Sequence, residues 1–491
     1  MVLANHIQRI GCGRAQIVPF LVCFLSTMAD SFEMILLAFI GPMVRCEWQC
    51  SSFEEAALTT VVFLGMILGG FVWGTLADHY HFGRKHCIVW ANALTFSAGF
   101  ASAFSPNIHS LIVLRGILGI GIAGNTLMPF TLFMETIPSD YRGTWSSAIS
   151  WSWSTGAVLV VFLAWQILPT YGWRYLVLVV SFPGGICLLL SLTLLYESPF
   201  FLAMHNKDEE LSRTLCRMAE QNNCGSATVY SIKNDKKRYE KKPLLHRQRC
   251  QSLNTVVEEG GISALFAPDI WTTTLRLWFV WFSCAFCYYG TILITTMFAK
   301  DDDSWSSTEC QQANDEWGNS ATASYVFPDD AYMDILNSTW GEFAAAVTTT
   351  LFLDYLGRKF IMTAAFLVFS SMFVIIAFSE SASGDSDVDD SSASTWFTVV
   401  LFFARTAAAV VLTPTVYVYT SEIYTTAQRA AGLSMGYIFA RIGGVLAPFI
   451  GQALFETSYF ASTMSFAIVG FIAALFSYSF TQRTSGVTLR H

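Results

Sequence analysis

Apolar residues along this chain are grouped into twelve long segments separated by polar stretches. Each segment approaches the roughly 20 residues that a helix needs to cross a bilayer. Because lipid offers no hydrogen-bond partner to the backbone, we predict that every segment is a helix. The segments cover residues 17–40, 57–77, 87–105, 108–134, 145–168, 174–195, 271–298, 332–353, 360–379, 395–420, 430–455 and 459–480.

The composition supports a membrane protein. Of the 491 residues, 53% are hydrophobic and only 13% are charged, whereas a soluble protein has about 25% charged residues. The net charge of −8 hides a sorted distribution of acid and base, and it does not indicate an acidic partner. The sequence therefore predicts an all-α membrane protein in contact with the lipid bilayer, and no nucleic-acid partner.

Lysine and arginine are concentrated in every second loop, which indicates the orientation because cytoplasmic loops carry the excess. We predict that both termini are cytoplasmic, in the plasma membrane or in an intracellular vesicle membrane. The opposite side then holds Arg45, Arg174 and Lys300, and four arginines fall within spans. The cytoplasmic basic residues are Arg9, Arg14, Arg84, Lys85, Arg142, those from Lys207 to Arg249, Arg358, Lys359, Arg429, Arg483 and Arg490, and the arginines within spans are Arg115, Arg276, Arg405 and Arg441.

The chain is predicted to consist of two six-helix halves, residues 1–195 and 271–491. A cytoplasmic central loop, residues 196–270, joins them and includes a short amphipathic helix at Leu211–Ala219. The halves repeat each other, and repeated halves with a binding site between them are the layout of secondary transporters. The repeated elements are Asp78 with Gly83-Arg84-Lys85 and Asp354 with Gly357-Arg358-Lys359, Arg115 and Arg405, and Glu135 with Arg142 and Glu422 with Arg429.

Two carboxylates, Asp30 and Glu33, lie inside the first apolar segment. A charge at that depth costs on the order of 3 kcal/mol by insertion scales. Their spacing of three residues places both on one helix face. Such a face is tolerated toward a water-filled cavity or a partner charge, so we expect an intramembrane binding or coupling site. The alternative is a structural ion pair, and either carboxylate is a candidate partner of Arg115.

Several of these motifs resemble the major facilitator superfamily. Its loop and span 4 motifs are matched by Gly74-x-x-x-Asp78 with Gly83-Arg84-Lys85 and by Arg115-Gly116 with Gly119. The sugar and organic-ion porter group is matched by Glu135-x-x-Pro138-x-x-x-Arg142-Gly143, Gly172-Trp173-Arg174 and Glu197-Ser198-Pro199. The synaptic vesicle 2-related protein family is matched by Met28-Ala29-Asp30-x-x-Glu33-Met34, Cys46-Glu47-Trp48, Leu265-Phe266-x-Pro268, Trp278-Phe279-x-Trp281-Phe282, Tyr288-Tyr289-Gly290, Tyr332-Met333-Asp334 and Tyr417-x-Tyr419-x-x-Glu422.

The resemblance implies twelve transmembrane helices in two pseudo-symmetric halves. It also supports Glu342 as an intramembrane carboxylate, which with Asp30 and Glu33 would form an anionic cavity. Carboxylates beside aromatic faces suit an organic cation, since a cation–π contact contributes about 0.5–2 kcal/mol. Ordinary helix packing is the alternative for the aromatics. The predicted substrate or coupling residues are Asp30, Glu33, Arg115, Tyr288, Tyr289, Glu342, Arg405 and Tyr417, and Tyr419 and Trp281 lie near them.

Charged residues at the cytoplasmic ends of the spans are candidates for a gate. Clusters of opposite charge that hold when the inner gate is closed would break when it opens. Static anchoring by positive charge is the alternative. The predicted gating residues are Asp78, Arg84, Glu135, Arg142 and Glu197 in the first half, and Asp354, Arg358, Glu422 and Arg429 in the second.

We therefore expect a secondary transporter, ion-coupled or facilitative, that moves a small organic solute by alternating access. An organic cation or zwitterion is favoured, and protonation of one carboxylate is a candidate coupling step. The alternative is a transporter-like vesicle or surface protein that acts as a receptor without flux. The chain lacks a Gly-Lys-Ser/Thr phosphate loop and a catalytic constellation, so neither an enzyme nor a cofactor or metal is expected. Cys46, Cys50 and Cys310 face outward in this topology, and one pair is a candidate disulfide.

Overall fold

The computed structural model describes residues 2–77, 82–138, 141–224, 265–268, 270–298, 329–383, 390–424 and 426–480. Their regular structure is helical. The helices before the central loop are α1 (Val2–Ile10), α2 (Ile17–Trp48), α3 (Ser52–Ala77), α4 (Gly83–Ser102), α5 (Ile108–Thr136), α6 (Arg142–Thr193), α7 (Pro199–Met204) and α8 (Asp208–Gln221). Those after it are α9 (Trp271–Phe298), α10 (Asp329–Thr339), α11 (Gly341–Leu356), α12 (Arg358–Ser383), α13 (Asp390–Val410), α14 (Val416–Ile423), α15 (Thr426–Pro448), α16 (Leu454–Thr457) and α17 (Tyr459–Ser479).

Eight helices within the described ranges are long and apolar enough to cross a membrane. The predicted twelve crossings follow from them once three features are recognised. Helix α6 is 52 residues long and contains two crossings, because Gly172 has φ 73° and interrupts the helical backbone. Helix α4 is a further, more polar crossing. Two others are each divided between consecutive helices, α10 with α11 and α13 with α14.

The divided crossings have identifiable breaks. Trp340 separates α10 from α11, so Glu342 lies in the first turn of α11, in the middle of the crossing. A π-helical turn at Val411–Thr415 separates α13 from α14, and another at Phe449–Ala453 follows α15. Such π turns loosen the regular backbone bonding and are frequent at functional sites.

The first crossing is longer than the sequence indicated. The apolar segment was predicted over residues 17–40, with Arg45 and Cys46 in the following loop, but α2 continues to Trp48. Pro42 is tolerated inside the helix, and Gln49 ends it in the left-handed conformation with φ 49°. Arg45 therefore projects from an ordered helix.

Glycines allow close approach where the helices of the centre cross. A Cβ on Gly119 of α5 would lie 2.2 Å from the carbonyl oxygen of Val62 on α3. In α15, a Cβ on Gly443 would lie 2.2 Å from the carbonyl oxygen of Phe282 on α9, and one on Gly444 would meet the ring of Phe63 on α3. Helix α15 is thus packed against both halves.

The predicted helix in the central loop is confirmed, since Leu211–Ala219 lies within α8. The apolar face of α8 packs with Ile10 and Phe201. The side chain of Asn222, just after α8, accepts a hydrogen bond from the backbone N–H of Ala15 at 2.8 Å. The start of the chain and the start of the central loop are therefore held together at one end of the bundle.

Candidate functional site

Glu33, one of the intramembrane carboxylates, forms an ion pair with a buried arginine. Arg115 of α5 donates a hydrogen bond from Nη1 to Glu33 Oε2 at 2.6 Å. Both side chains are almost fully buried. Arg115 is therefore paired with Glu33 rather than with Asp30, and the ion pair connects α2 to α5 within the first half.

The second half has a corresponding pair. Arg405 of α13 donates from Nε to Glu342 Oε1 at 3.1 Å, and Tyr288 of α9 donates its hydroxyl to the same oxygen at 2.8 Å. From the first half, Trp153 of α6 donates its indole N–H to the Tyr288 hydroxyl at 2.6 Å. Ser154 donates its hydroxyl to the backbone carbonyl of Glu342 at 3.1 Å. A buried polar chain thus crosses from one half to the other.

Asp30 has a different environment from the two glutamates. It is 1% exposed, and Thr126 of α5 donates its hydroxyl to Asp30 Oδ2 at 2.7 Å. The other oxygen, Oδ1, has no hydrogen-bond partner among the described residues. Arg441 of α15 exerts an electrostatic attraction on Asp30 from the second half. Glu342 Oε2 also lacks a hydrogen-bond partner among the described residues, but Asp30 differs from Glu33 and Glu342 in having no arginine at ion-pair distance there.

The aromatic residues divide into two roles. Tyr288 belongs to the polar chain, whereas Tyr289 packs edge-on against Phe63 at 4.7 Å between ring centroids and accepts a hydrogen bond from Arg441 at 3.2 Å. Tyr417 packs edge-on against Trp281 at 4.5 Å and remains 39% exposed. Among the described residues, Tyr417 makes no hydrogen bond to Glu342; it lies within electrostatic range of Arg441 and Tyr289.

The expected anionic cavity is not what these residues form. Glu33 is paired with Arg115 and Glu342 with Arg405, so two of the three carboxylates have an arginine as counter-ion. Asp30 has no arginine at ion-pair distance among the described residues, although Arg441 attracts it electrostatically. The sequence showed all six charges, but their pairing depends on which helices pack together.

Ion pairs also form at the end of the bundle that carries Arg84 and Arg358, here called the basic end. Arg84 pairs with Glu135 at 3.0 Å, and Arg358 pairs with Glu422 at 3.2 Å. Glu197 accepts hydrogen bonds from the backbone N–H groups of residues 84 and 85 at 3.0 Å each. Each ion pair joins helices of a single half.

Four predicted gating residues cannot be placed in these clusters. Asp78 lies outside the described residues, and the side chains of Arg142, Asp354 and Arg429 lie outside them as well. The basic-end clusters therefore rest on Arg84, Glu135, Glu197, Arg358 and Glu422.

A charged cluster at the opposite end, here called the acidic end, was not predicted. Arg45 pairs with Glu55 at 3.5 Å and also with Glu456. Gln452 donates its amide to Glu55 at 3.2 Å, and Ser52 donates to Glu456. Glu456 and Gln452 belong to the second half and the others to the first, so this cluster connects the two halves. The cluster could not be predicted because Arg45 was placed in a loop, whereas it lies in the last turn of α2 beside Glu55 and Glu456.

The Cys46-Glu47-Trp48 and Gly172-Trp173-Arg174 motifs are in contact near the acidic end. Glu47 accepts hydrogen bonds from the Trp173 indole at 2.7 Å and from Arg174 at 2.8 Å. In the same region Cys46 is disulfide-bonded, whereas Cys50 is a free thiol. Cys50 is thereby removed from the predicted pair, and Cys310 lies outside the described residues.

Comparison with known proteins identifies the family. The model of the Major Facilitator Superfamily matches residues 20–327 and 333–489. The chain is 32% identical to the synaptic vesicle 2-related protein of Rattus norvegicus over 491 residues, which covers 100% of this chain and 82% of that protein. It is 30% identical to the organic cation/carnitine transporter 7 of Arabidopsis thaliana, over 97% of this chain and 93% of that protein.

Solved structures agree on the fold. The xylose transporter XylE from E. coli, in a partially occluded inward open conformation, superposes with a TM-score of 0.69 at 17% identity, over 96% of this chain and 99% of that chain. The twelve-helix arrangement in two pseudo-symmetric halves is therefore the major facilitator fold. The chain belongs to the Major Facilitator Superfamily of membrane transporters and, within it, to the family of synaptic vesicle 2-related proteins.

Proposed function

We propose that this protein is a secondary transporter that moves a small organic cation or zwitterion across a membrane by alternating access. One observation carries the proposal: the buried polar chain from Trp153 through Tyr288 to Glu342 connects the two halves at the centre of the bundle. Secondary transporters bind their substrates near the bilayer midplane, between their repeated halves. The name of the Arabidopsis relative, an organic cation/carnitine transporter, supports the substrate class.

Asp30 is the residue we assign to the substrate cation or to a coupling proton. Protonation of Glu33 or Glu342 would leave the buried guanidinium of Arg115 or Arg405 without its counter-ion, which is costly inside a membrane. Asp30 accepts its direct hydrogen bond from the neutral hydroxyl of Thr126. A cation or a proton at Asp30 therefore disturbs the fewest existing bonds, and the two glutamate–arginine pairs hold the surrounding helices.

Alternating access would proceed by movement of residues 1–195 against residues 271–491, joined by the central loop 196–270. The cross-half contacts of Arg45 with Glu456 and of Gln452 with Glu55 favour a state closed at the acidic end. The Lys/Arg bias favours a cytoplasmic location for the basic end, both termini and the central loop. The protein is proposed to act in the plasma membrane or a vesicle membrane.

At the basic end, the clusters around Arg84–Glu135 and Arg358–Glu422 are the proposed inner gate. Arg142 and Arg429 are proposed to join these clusters, with Asp78 and Asp354 beside them. Neutralising Arg142 or Arg429 would then weaken the state in which the inner gate is closed, since a population follows the differential stability of the two states. Raised accessibility of the cavity from the cytoplasmic side is the expected result.

The proposal is tested by uptake into liposomes that contain the purified protein. Radiolabelled tetraethylammonium, choline and carnitine serve as probes. The wild type should show saturable uptake, and Asp30→Asn should abolish it while the protein remains monodisperse in size-exclusion chromatography. Glu220→Gln, on the exposed face of α8, is the matched control that removes a carboxylate away from the membrane.

The outcomes separate the roles of Asp30. If it binds the cation, Asp30→Asn loses both binding and flux. If it carries a coupling proton, Asp30→Asn retains exchange but loses accumulation driven by a pH gradient. Wild-type uptake with unchanged pH dependence in Asp30→Asn would reject the assignment. Binding of a probe to the wild type without flux would support a receptor instead.

A further inference from the structure

Arg441 is a buried cation without a bonded counter-ion. It is 8% exposed, and within the described part of the chain no carboxylate lies at ion-pair distance from its guanidinium. Instead it donates to the hydroxyls of Tyr289, at 3.2 Å, and Tyr437. Its guanidinium carbon lies 4.4 Å from the centroid of the Tyr437 ring. These contacts fix the guanidinium in one orientation but do not neutralise it.

The guanidinium of Arg441 also has unused bonding capacity. An arginine side chain carries five N–H donors, and Nε of Arg441 has no hydrogen-bond partner among the residues the structure describes. A buried donor without an acceptor is expensive, and a buried charge more so. A planar fork of this kind is suited to a carboxylate, which can accept two parallel hydrogen bonds.

Asp30 presents the complementary deficiency from the other half. Its Oδ1 is buried and without a partner among the described residues, and Arg441 attracts it electrostatically without forming an ion pair. Tyr289, which accepts a hydrogen bond from Arg441, also interacts electrostatically with Asp30. The two groups are thus close enough to interact but are not in direct contact.

Tyr417 adds an aromatic ring to the surroundings of Arg441. It lies in electrostatic contact with Arg441, Tyr437 and Tyr289, all of which are nearly inaccessible. Nevertheless 39% of Tyr417 is exposed. Its ring face offers an ammonium group a cation–π contact.

We propose that Asp30 and Arg441 form a two-part site for a zwitterion, whose ammonium group binds at Asp30 and whose carboxylate binds at Arg441. This inference rests on the proposed transport function and specifies its substrate class. A zwitterion supplies the missing partner of each charge. A simple cation would satisfy Asp30 but leave Arg441 unneutralised beside an added positive charge. Arg441 is therefore the residue that selects zwitterions over cations.

The location of the two charges connects binding with movement. Asp30 is on α2 of the first half, and Arg441 is on α15 of the second. Gly443 and Gly444 pack α15 tightly against α9 and α3. A zwitterion that contacts both charges stabilises the state in which the halves lie close together around it, because it binds that state better.

The test compares matched probes on matched variants in proteoliposomes. The probes are carnitine and glycine betaine, each with its methyl ester, which keeps the ammonium group and removes the carboxylate charge. For the wild type, we expect esterification to weaken binding about tenfold to a hundredfold, the range for a hydrogen bond to a charged group. For Arg441→Gln, the acid and its ester should bind almost equally.

Two further variants separate specificity from folding. Arg441→Lys keeps the positive charge and should retain part of the preference for the acid. Arg276→Gln removes an arginine that donates to Ser479 near a helix end and should leave the preference unchanged. Thermal unfolding and size-exclusion chromatography of each variant establish that the protein compared is folded.

The results distinguish failure of this inference from failure of the proposed function. If the wild type transports the esters as well as the acids, or if Arg441→Gln keeps the full preference, the zwitterion site is refuted and a cation transporter remains. If the wild-type protein neither binds nor transports the acids or the esters, the proposed function fails and the inference fails with it.

Discussion

The ion pair between Glu33 and Arg115 is expected to be a major determinant of stability, which can be measured by breaking it. At an effective dielectric constant of about 20, two unit charges at the 2.6 Å observed here attract by about 6 kcal/mol. Desolvation offsets much of that attraction, but removal of one partner of a buried pair typically costs about 3–5 kcal/mol. We therefore expect Arg115→Gln to lower the free energy of unfolding by about 3–5 kcal/mol.

The corresponding pair in the second half provides an internal comparison. Arg405 lies 3.1 Å from Glu342, at which the same attraction is about 5 kcal/mol. Glu342 also accepts a hydrogen bond from Tyr288, and this bond remains when the arginine is removed. A hydrogen bond to a charged group contributes roughly 2 kcal/mol. Arg405→Gln should therefore be less destabilising than Arg115→Gln.

The double variant Glu33→Gln/Arg115→Gln completes a double-mutant cycle. It removes both charges, so neither is left buried alone, and it should recover most of the lost stability. The assay is unfolding in mixed detergent micelles as the fraction of sodium dodecyl sulfate rises, followed by circular dichroism. Losses in the two single variants that add up in the double variant would refute the assigned pairing.

Three other predictions concern the acidic end. Burial, with nearby carboxylates, raises the pKa of the Cys50 thiol to about 11; since the thiolate is the reactive form, maleimide labelling of Cys50 should be slow at neutral pH and accelerate as the pH rises toward 11. Labelling that is fast and independent of pH would contradict this. Cys46 is disulfide-bonded, and we predict Cys310 as its partner; mass spectrometry of non-reduced peptides should find the two linked, and a free Cys310 would refute it. Glu456→Gln removes a counter-ion of Arg45 that lies across the halves, so the distance between spin labels on α3 and α16 should lengthen, and an unchanged distribution would exclude a gating role.

Much of this architecture follows from the apolar pattern, because the cost of unsatisfied backbone in lipid restricts each segment to a helix. The limits of the prediction lie in the backbone details. The turn at Gly172 was part of a recognised motif, but Gly341, which directly follows the break at Trp340, was not read as the sign of an interruption. Similarly, the apolar pattern did not indicate that α2 continues through Pro42 to Trp48, a stretch in which Met43 and Val44 are buried.

The sequence indicated which charged residues belong to the candidate site, but not which carboxylate pairs with which arginine. The cost of a charge in the membrane singled out Asp30, Glu33 and Arg115 as residues that need partners. Sequence spacing places Asp30 and Glu33 on one helix face, so it cannot decide which of them meets Arg115; the crossing of α2 and α5 does. Arg441 was visible as an intramembrane charge, but its relation to Asp30 arises only when α15 packs across the two halves.

The measurement that tests the central claim most directly is counterflow in proteoliposomes preloaded with unlabelled carnitine. Labelled carnitine added outside should accumulate transiently in vesicles that contain the wild-type protein, because a carrier exchanges solute through one alternating site. Vesicles with Asp30→Asn should show no such accumulation if the carboxylate binds the substrate. Saturable binding of carnitine to the wild type without any counterflow would contradict the account, and full counterflow in Asp30→Asn would contradict the assignment of Asp30 as the residue that binds the substrate.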